Sequence, residues 1–459
     1  MIKFILNNKD ITTTLPAGTV LLDFVRYHRH LTGTKTGCNE GDCGACTMLV
    51  GELKNNELQY HSLTSCLTPL GNVHGKHVVT IEGLNMEGLN PIQQAMHDES
   101  ATQCGFCTPG FVVSLAGFCL SGKAATTQNA IAHIDGNICR CTGYKSIERA
   151  ANKVAQLMQQ RQHEDPAEFV SGNQIFPHWF SGIKQRLYAL LTELNGQLHP
   201  ATATELVGGG TDVYVQKHDA MKEASIRFLL DDNQLKGITQ QGNRCIMGAA
   251  TTVTAISESP VVQQYFPGLH DYIKLVSSTP IRNIATIGGN IINASPIGDL
   301  TIFFLALDAM LVFSNGEQSR ELPLRKLYKG YKQLDKQPDE YLEAIWFEFP
   351  GNNNHFNFEK VSKRTNLDIA SVNSACSITL QNGFIESARI SAGGVAPVPT
   401  LLEKTNAFLK GQPVNEGAIA AAISVAQTEI APISDARGTA DYKRLLLGQL
   451  IKAHFLTIQ

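Results

Sequence analysis

No apolar run in this 459-residue chain is long enough to span a bilayer. The longest, Ile302 to Phe313, is interrupted by Asp308. The opening Met-Ile-Lys-Phe-Ile-Leu turns polar at Asn7, too early for a signal peptide, so a cytoplasmic protein with no membrane partner is expected. Positive charge is not in excess. Against 38 basic residues stand 41 acidic ones, a net charge of −3 that supplies no broad electropositive surface and argues against a nucleic-acid partner. Internal repeats and low-complexity tracts are lacking, as are G-x-G-x-x-G and G-K-[ST], which removes a Rossmann turn and a P-loop from consideration. With 43% hydrophobic and 17% charged residues, the length fits a globular protein of two to four domains.

Cysteine is almost missing from the last two thirds, where only Cys245 and Cys376 occur. The other nine of the eleven precede residue 142. Reducing conditions make a disulfide framework a poor explanation, and scattered core cysteines would not cluster this way. The N-terminal third therefore reads as a metal region.

Residues 1–83 read as a small β-rich unit. Ile2 to Leu6 is a strand, residues 7–10 are a turn, and Ile11 to Thr14 can pair back. Thr19 is placed to cap a helix through Val20, Leu21, Phe24 and Val25. Val78 to Ile81 is expected to close the sheet. Residues 84–160 read as helices, opened by Pro91 and Pro109, with a third after Ser146 along Ile147, Ala150, Ala151, Val154, Leu157 and Met158. The polar stretch ending at Pro166 marks a linker over 161–174. From 175 onward short strands and helices alternate, with glycine turns at 208–210 and 288–289 and a break near Pro350, giving expected domains at 175–350 and 351–459.

Cys38-Asn-Glu-Gly-Asp-Cys43-Gly-Ala-Cys46, with Cys66 beyond, has the C-x4-C-x2-C…C spacing of plant-type [2Fe–2S] ligands. Four thiolates around two irons and two sulfides make an anionic site, which needs a close loop with amides aimed at sulfur. A four-cysteine zinc site usually has two C-x2–4-C pairs, and three cysteines in one glycine loop fit it poorly. The second group pairs Cys104 and Cys107 with Cys139 and Cys141; spacing alone leaves zinc open there. Cys119 lies on an apolar helix face and reads as core.

The strings Thr102-Gln-Cys-Gly-Phe-Cys-Thr-Pro-Gly110 and Gly136-Asn-Ile-Cys-Arg-Cys-Thr-Gly-Tyr144 resemble those of the molybdenum hydroxylases, the xanthine dehydrogenase and aldehyde oxidase family. The resemblance runs along the whole chain. It implies a multidomain α+β protein with a β-grasp ferredoxin-like domain and a four-helix [2Fe–2S] domain. An α+β FAD-binding domain of the PCMH/VAO type and a C-terminal α+β domain like that of carbon monoxide dehydrogenase flavoproteins would follow. It also implies that Cys104, Cys107, Cys139 and Cys141 hold a second [2Fe–2S] cluster, and that Gln103 contacts a molybdenum cofactor across a subunit boundary.

Val207-Gly-Gly-Gly-Thr-Asp212 is, taken alone, either a tight turn or a loop presenting amides to a pyrophosphate. Together with Thr286-Ile-Gly-Gly-Asn290 and Asn293-Ala-Ser-Pro-Ile-Gly-Asp299 it resembles the family's FAD domain. By that resemblance Val207, Gly208, Gly209, Gly210, Thr211 and Asp212 join Thr286, Ile287, Gly288, Gly289 and Asn290 around the FAD diphosphate. Ser295 and Asp299 would follow along the flavin. Lys360, and Arg364 and Asp368 in the 362–368 stretch, would line its nicotinamide side; a solvated charged strand is the plainer reading of Lys360 and Arg364. Two departures are visible. Mammalian relatives place phenylalanine against the flavin where Leu275 and Val276 stand here, and Lys145-Ser146 replaces arginine and proline.

A flavin can join one-electron and two-electron carriers, so two clusters and FAD imply a relay. The resemblance implies an electron-transfer subunit that takes electrons from a molybdopterin cofactor on a large partner subunit, within a heterotetramer, and passes them to NAD. The reaction implied is oxidation of hypoxanthine and xanthine to urate in purine catabolism. A sister hydroxylase for another N-heterocycle or an aldehyde is the alternative, and a non-catalytic redox scaffold the reading from a different class.

Overall fold

The structure, a computed structural model, describes residues 1–162, 164–194 and 203–458. His163 of the expected linker, residues 195–202 of the expected flavin domain and Gln459 lie outside the described residues. The chain divides into two compact units, Met1–Leu229 with Ser278–Ile284, and Leu230–Ser277 with Ala285–Gln459.

In the first unit, β1 (Ile2–Leu6) and β2 (Lys9–Thr13) form the expected hairpin. They join β3 (Thr47–Lys54), β4 (Glu57–Thr64) and β5 (His77–Val79) in a sheet of order β2-β1-β5-β3-β4. The β5 strand does not close this sheet; it is the middle strand, parallel to β1 and antiparallel to β3. Its three residues are fully buried, which explains the run of β-branched side chains without alternation. Thr19 is not the helix cap either. The first helical turn, Leu21–Asp23, starts after Val20 with no side-chain cap and runs into a π-turn at Phe24–His28.

Four helices follow, Pro91–Asp98, Thr108–Cys119, Thr127–His133 and Lys145–Met158. The first has a complete capping box, with Asn90 accepting from Ile92 and Gln93 amides. The helix Thr108–Cys119 is apolar all round because it is covered on every side. Thr127–His133, capped by Thr126, has too few apolar residues to announce itself in the sequence. Within the stretch read as a linker, Asp165 caps a further helix, Pro166–Gly172, and its Phe169 and Val170 are buried in the same core.

The parallel pair β6 (Glu205–Val207) and β7 (Ile226–Phe228) completes this unit. It shares a core with Val20, Leu22, Cys46, Cys66 and Leu67. Tyr214 is buried and donates its hydroxyl to the Gly18 carbonyl at 3.0 Å. The glycine-rich strand–loop of residues 205–212 therefore folds with the β-grasp sheet.

The second unit has two antiparallel sheets. β8 (Ile238–Gln241), β9 (Arg244–Gly248), β10 (Met310–Ser314), β11 (Ser319–Pro323) and a later strand form one, outside which β12 (Tyr328–Gly330) and β13 (Gln333–Leu334) make a short ribbon. That later strand, β14 (Tyr341–Glu348), sits between β10 and β9. β15 (Asn354–Val361), β16 (Val372–Gln381), β17 (Phe384–Gly393) and β18 (Thr400–Leu401) form the other as a meander. Helices Glu416–Gln427 and Ala440–Leu456 share a core with it, and the apolar helix Asp299–Ala306 is buried along almost its whole length. Among the described residues no helix is long and apolar enough to cross a membrane.

Candidate metal centres and flavin site

The loop between the first helical turn and β3 brings Cys38, Cys43 and Cys46 to Cys66, just after β4. The sulfurs fall into pairs. Cys46 and Cys66 are buried with Sγ atoms 3.4 Å apart, while Cys38 and Cys43 are half-buried. Glu40 and Asp42 amides donate to Cys38 Sγ at 3.3 and 3.2 Å, and the Cys38 amide donates to Cys43 Sγ at 3.4 Å. Such donors favour thiolate. At Gly37 a β-carbon would sit 2.6 Å from Cys43 Sγ, so the loop leaves no room there for a side chain.

Within each of these pairs the sulfur–sulfur contact lowers one thiol and raises the other. Hydrogen bonding to the Cys43 thiol, aided by the Glu40 and Asp42 amides, brings Cys38 down to about 5 against opposing burial. The Cys38 contact and then burial push Cys43 up.

The second site is built at two helix starts. Cys104 and Cys107 precede the helix Thr108–Cys119, and Cys139 and Cys141 precede Lys145–Met158. Cys104 and Cys141 Sγ atoms are 3.6 Å apart and both residues are exposed. Cys139 is buried; burial alone would raise it, but the Thr142 hydroxyl at 3.1 Å and amide at 3.4 Å, with other donors, hold its thiol below the ordinary range. Tyr144 folds back so that its hydroxyl accepts the Cys139 amide at 3.1 Å.

The donor sets suit two-iron centres. Among the described residues no three His, Cys, Asp or Glu side chains converge on a point that could hold one metal ion. A tetrahedral zinc needs four ligands around one point, whereas a [2Fe–2S] group needs two sulfurs for each of two irons. Paired thiols with backbone donors fit the latter. Cys119, Cys245 and Cys376 are buried in hydrophobic cores.

In the first unit, the Gly208–Asp212 loop lies against the segment that follows Cys66. Asn72 Nδ2 donates to the Gly208 carbonyl at 3.0 Å, and a β-carbon on Gly210 would come within 2.8 Å of the Leu67 carbonyl. Val207, Gly209 and Gly210 are buried; Asp212 is exposed and begins the short helix Val213–Gln216 without capping it.

In the second unit, Gly288 and Gly289 are not a turn. They lie in the first turn of the helix Ile287–Asn293, capped by Thr286. Its first amides are already satisfied: Ile287 by the Thr251 carbonyl, Gly288 by Ala249, Gly289 by Thr286 Oγ1 and Asn290 by the Thr286 carbonyl. A phosphate approaching this turn competes with Thr286 for the Gly289 amide. The Asn290 side chain accepts from the Thr301 amide and hydroxyl, and Ser295 Oγ accepts the Ile297 amide at 3.4 Å.

Asp299 and Lys360 meet. Lys360 Nζ donates to Asp299 Oδ2 at 2.7 Å and to the Leu275 carbonyl at 2.8 Å, with its side chain only 1% exposed. The plain reading of Lys360 as a solvated charge is thereby excluded. Asn373, which no sequence motif singled out, donates to Asp299 Oδ1 at 2.6 Å. Arg364 and Asp368 close their own loop, through the Arg364 amide to Asp368 at 2.8 Å, and Arg364 remains exposed. Asn366 Oδ1 and Asn373 Oδ1 are buried acceptors with no partner among the described residues. The unsatisfied acceptor of Asn373, whose amide nitrogen donates to Asp299 of the ion pair, fits a polar ring system such as a flavin better than a dry core.

Four family descriptions match in order. Residues 4–71 match a 2Fe–2S iron–sulfur cluster binding domain and 80–152 a [2Fe–2S] binding domain. Residues 184–348 match the FAD binding domain in molybdopterin dehydrogenase, and 358–458 the CO dehydrogenase flavoprotein C-terminal domain. Xanthine dehydrogenase 1 of Arabidopsis thaliana is 28% identical over 93% of this chain, which spans 37% of that relative's length. A carbon monoxide dehydrogenase structure from Hydrogenophaga pseudoflava aligns with TM-score 0.52 and 27% identity, covering 58% of this chain and 90% of that one. Quinoline 2-oxidoreductase from Pseudomonas putida 86 shares the fold, with TM-score 0.51 at 23% identity, over 55% of this chain and 88% of its own. Two iron–sulfur domains followed by a flavin domain and its C-terminal companion give this chain the iron–sulfur/FAD domain order of the molybdenum hydroxylases.

Proposed function

We propose that this chain serves a xanthine dehydrogenase, taking electrons from a molybdopterin centre on a partner subunit and delivering them to NAD during oxidation of hypoxanthine and xanthine to urate. The observation that carries the reading is the likeness to xanthine dehydrogenase along 93% of the chain. Cys38, Cys43, Cys46 and Cys66 would hold one [2Fe–2S] group, and Cys104, Cys107, Cys139 and Cys141 the other. The iron–sulfur groups pass single electrons, and bound FAD supplies the conversion to the two-electron transfer that NAD accepts. Gly208, Gly209 and Gly210 with Thr211 would carry the diphosphate in the first unit, as would residues 286–290 in the second. Lys360 compensates the charge of Asp299 and orients it, with Asn373, beside the flavin. Exposed Gln103, next to Cys104, would reach the partner's cofactor. The domain division 1–83, 84–160, 175–350 and 351–459, a cytoplasmic location and a heterotetramer with the large subunit belong to the same proposal.

A second reading, an N-heterocycle hydroxylase other than xanthine dehydrogenase, is favoured by the fold shared with quinoline 2-oxidoreductase. Substrate choice would then lie with the partner. The test is to purify the chain with whatever co-purifies and to assay the two apart. Alone, it should pass electrons from NADH to a dye and leave hypoxanthine untouched; with its partner it should form urate. Gly209→Val should abolish flavin retention, whereas Asp212→Asn should keep flavin and change its rate of oxidation by NAD. Hypoxanthine oxidation by the isolated chain, or quinoline but not purine oxidation by the complex, sinks the xanthine dehydrogenase reading.

A further inference from the structure

The two cysteine loops of the first unit are joined at Gly44, the residue after Cys43. Gly44 has φ +67°, and a β-carbon there would collide with the Gly136 carbonyl and the Asn137 side chain. Gly110, in the first turn of the helix after Cys107, packs against Gly44, and a β-carbon on it would collide with the Gly44 carbonyl. The Ile138 amide donates to the Cys43 carbonyl at 3.0 Å, so the backbone beside one cysteine set is hydrogen-bonded to the residue preceding Cys139 of the other.

Asn137 locks this junction. Its Nδ2 donates to the Gly44 carbonyl at 3.0 Å, and Ser114 Oγ donates to its Oδ1 at 2.7 Å. The amide cannot be reversed, because the Gly44 carbonyl can only accept. The same carbonyl takes the Thr47 hydroxyl at 2.7 Å and the Thr47 amide at 3.1 Å. Asn137, Ser114 and Thr47 are all buried, at 5%, 0% and 1% exposure. A buried side chain with both ends satisfied by two separate segments holds a distance as well as contributing stability.

We propose that Asn137 is a positioning residue that sets the separation of the two [2Fe–2S] groups and thereby the rate of electron exchange between them. The proposal rests on the reading that both cysteine sets hold such groups. In the step it governs, one electron leaves the reduced group of the Cys104 set and is gained by the oxidised group of the Cys38 set; no proton moves and no bond is made or broken.

The test is low-temperature electron paramagnetic resonance of the fully reduced protein, which reads the magnetic splitting between the groups independently of turnover. Asn137→Asp is isosteric but turns an oxygen toward the Gly44 carbonyl, and Ser114→Ala removes only the support behind Asn137. Both should retain the iron of the wild type and alter the splitting, the aspartate more than the alanine. If Asn137→Asp loses iron, Ser114→Ala decides alone. Splitting identical to the wild type in the iron-replete variants, or no splitting in the wild type, overturns the proposal. A wild type that binds only one iron–sulfur group overturns the underlying two-centre reading, an outcome the iron count distinguishes.

Discussion

The two cysteine sites share a ligand chemistry and differ in their cover. Around Cys46 and Cys66 the chain closes completely, both residues being 2% exposed. Cys104 and Cys141 stand at the surface, beside Phe106, itself 47% exposed. The wrapped site is a loop threaded between a sheet and the Val207–Phe228 layer, with core on two sides. The open site is two helix starts, where Thr142 donates to the Cys139 sulfur and Tyr144 accepts the Cys139 amide. An exposed pair can be approached by another molecule more closely than a buried one.

That contrast can be broken most sharply by removing one ligand at a time. Cys43→Ser and Cys141→Ser should each cost half the iron and one of two paramagnetic signals, leaving the other signal intact. Loss of both signals from either substitution would mean that the sites do not assemble independently. Next in size is accessibility. In iron-free protein a thiol reagent followed by mass spectrometry should modify Cys104 and Cys141 first and reach Cys46 and Cys66 only on unfolding.

Glycine substitution sharpens the comparison further. Gly44→Ala forces a β-carbon into the Asn137 junction and should lower the melting temperature strongly and deplete iron. Gly105, between Cys104 and Cys107, also has positive φ (+80°) but opens onto empty space. Its replacement by alanine should cost only the backbone strain, about 1–2 kcal/mol, and leave iron content unchanged.

The last effect is a pH dependence common to both compact units. His77 in the first and His454 in the second are fully buried, and burial lowers each to about 3 from an ordinary 6.5. Asn357 Nδ2 lies 3.1 Å from His454 Nδ1, so that nitrogen accepts and a second ring proton would face a donor. Between about pH 6.5 and 3 the unfolded chain takes up protons that the folded chain refuses. Acid therefore destabilises, by about 1.4 kcal/mol per pH unit for each histidine, and above 6.5 the effect vanishes. Denaturant unfolding at pH 7 and pH 5 measures it, and His454→Gln should flatten the acid side for the second unit.

Much of the molecule was legible in one dimension. The cysteine spacing, the proline-opened helices and the first hairpin are local patterns, set by residue type and period. Asp299 and Lys360 were placed on the flavin side by resemblance, with no sign in the sequence that they pair across sixty residues. What the amino-acid order alone determined is a cysteine-rich first third and a remainder of alternating strands and helices, because ligand runs and hydrophobic periodicity act between near neighbours. Tertiary structure alone decided that β5 lies in the middle of its sheet, that residues 205–229 pack with the ferredoxin-like fold, and that Gly288 and Gly289 open a helix. It also decided the roles of Asn72, Asn137 and Asn373, side chains common in any surface turn. Their function comes from the distant carbonyls and carboxylate they reach, and a hydrogen bond between segments remote in sequence leaves no local trace in either.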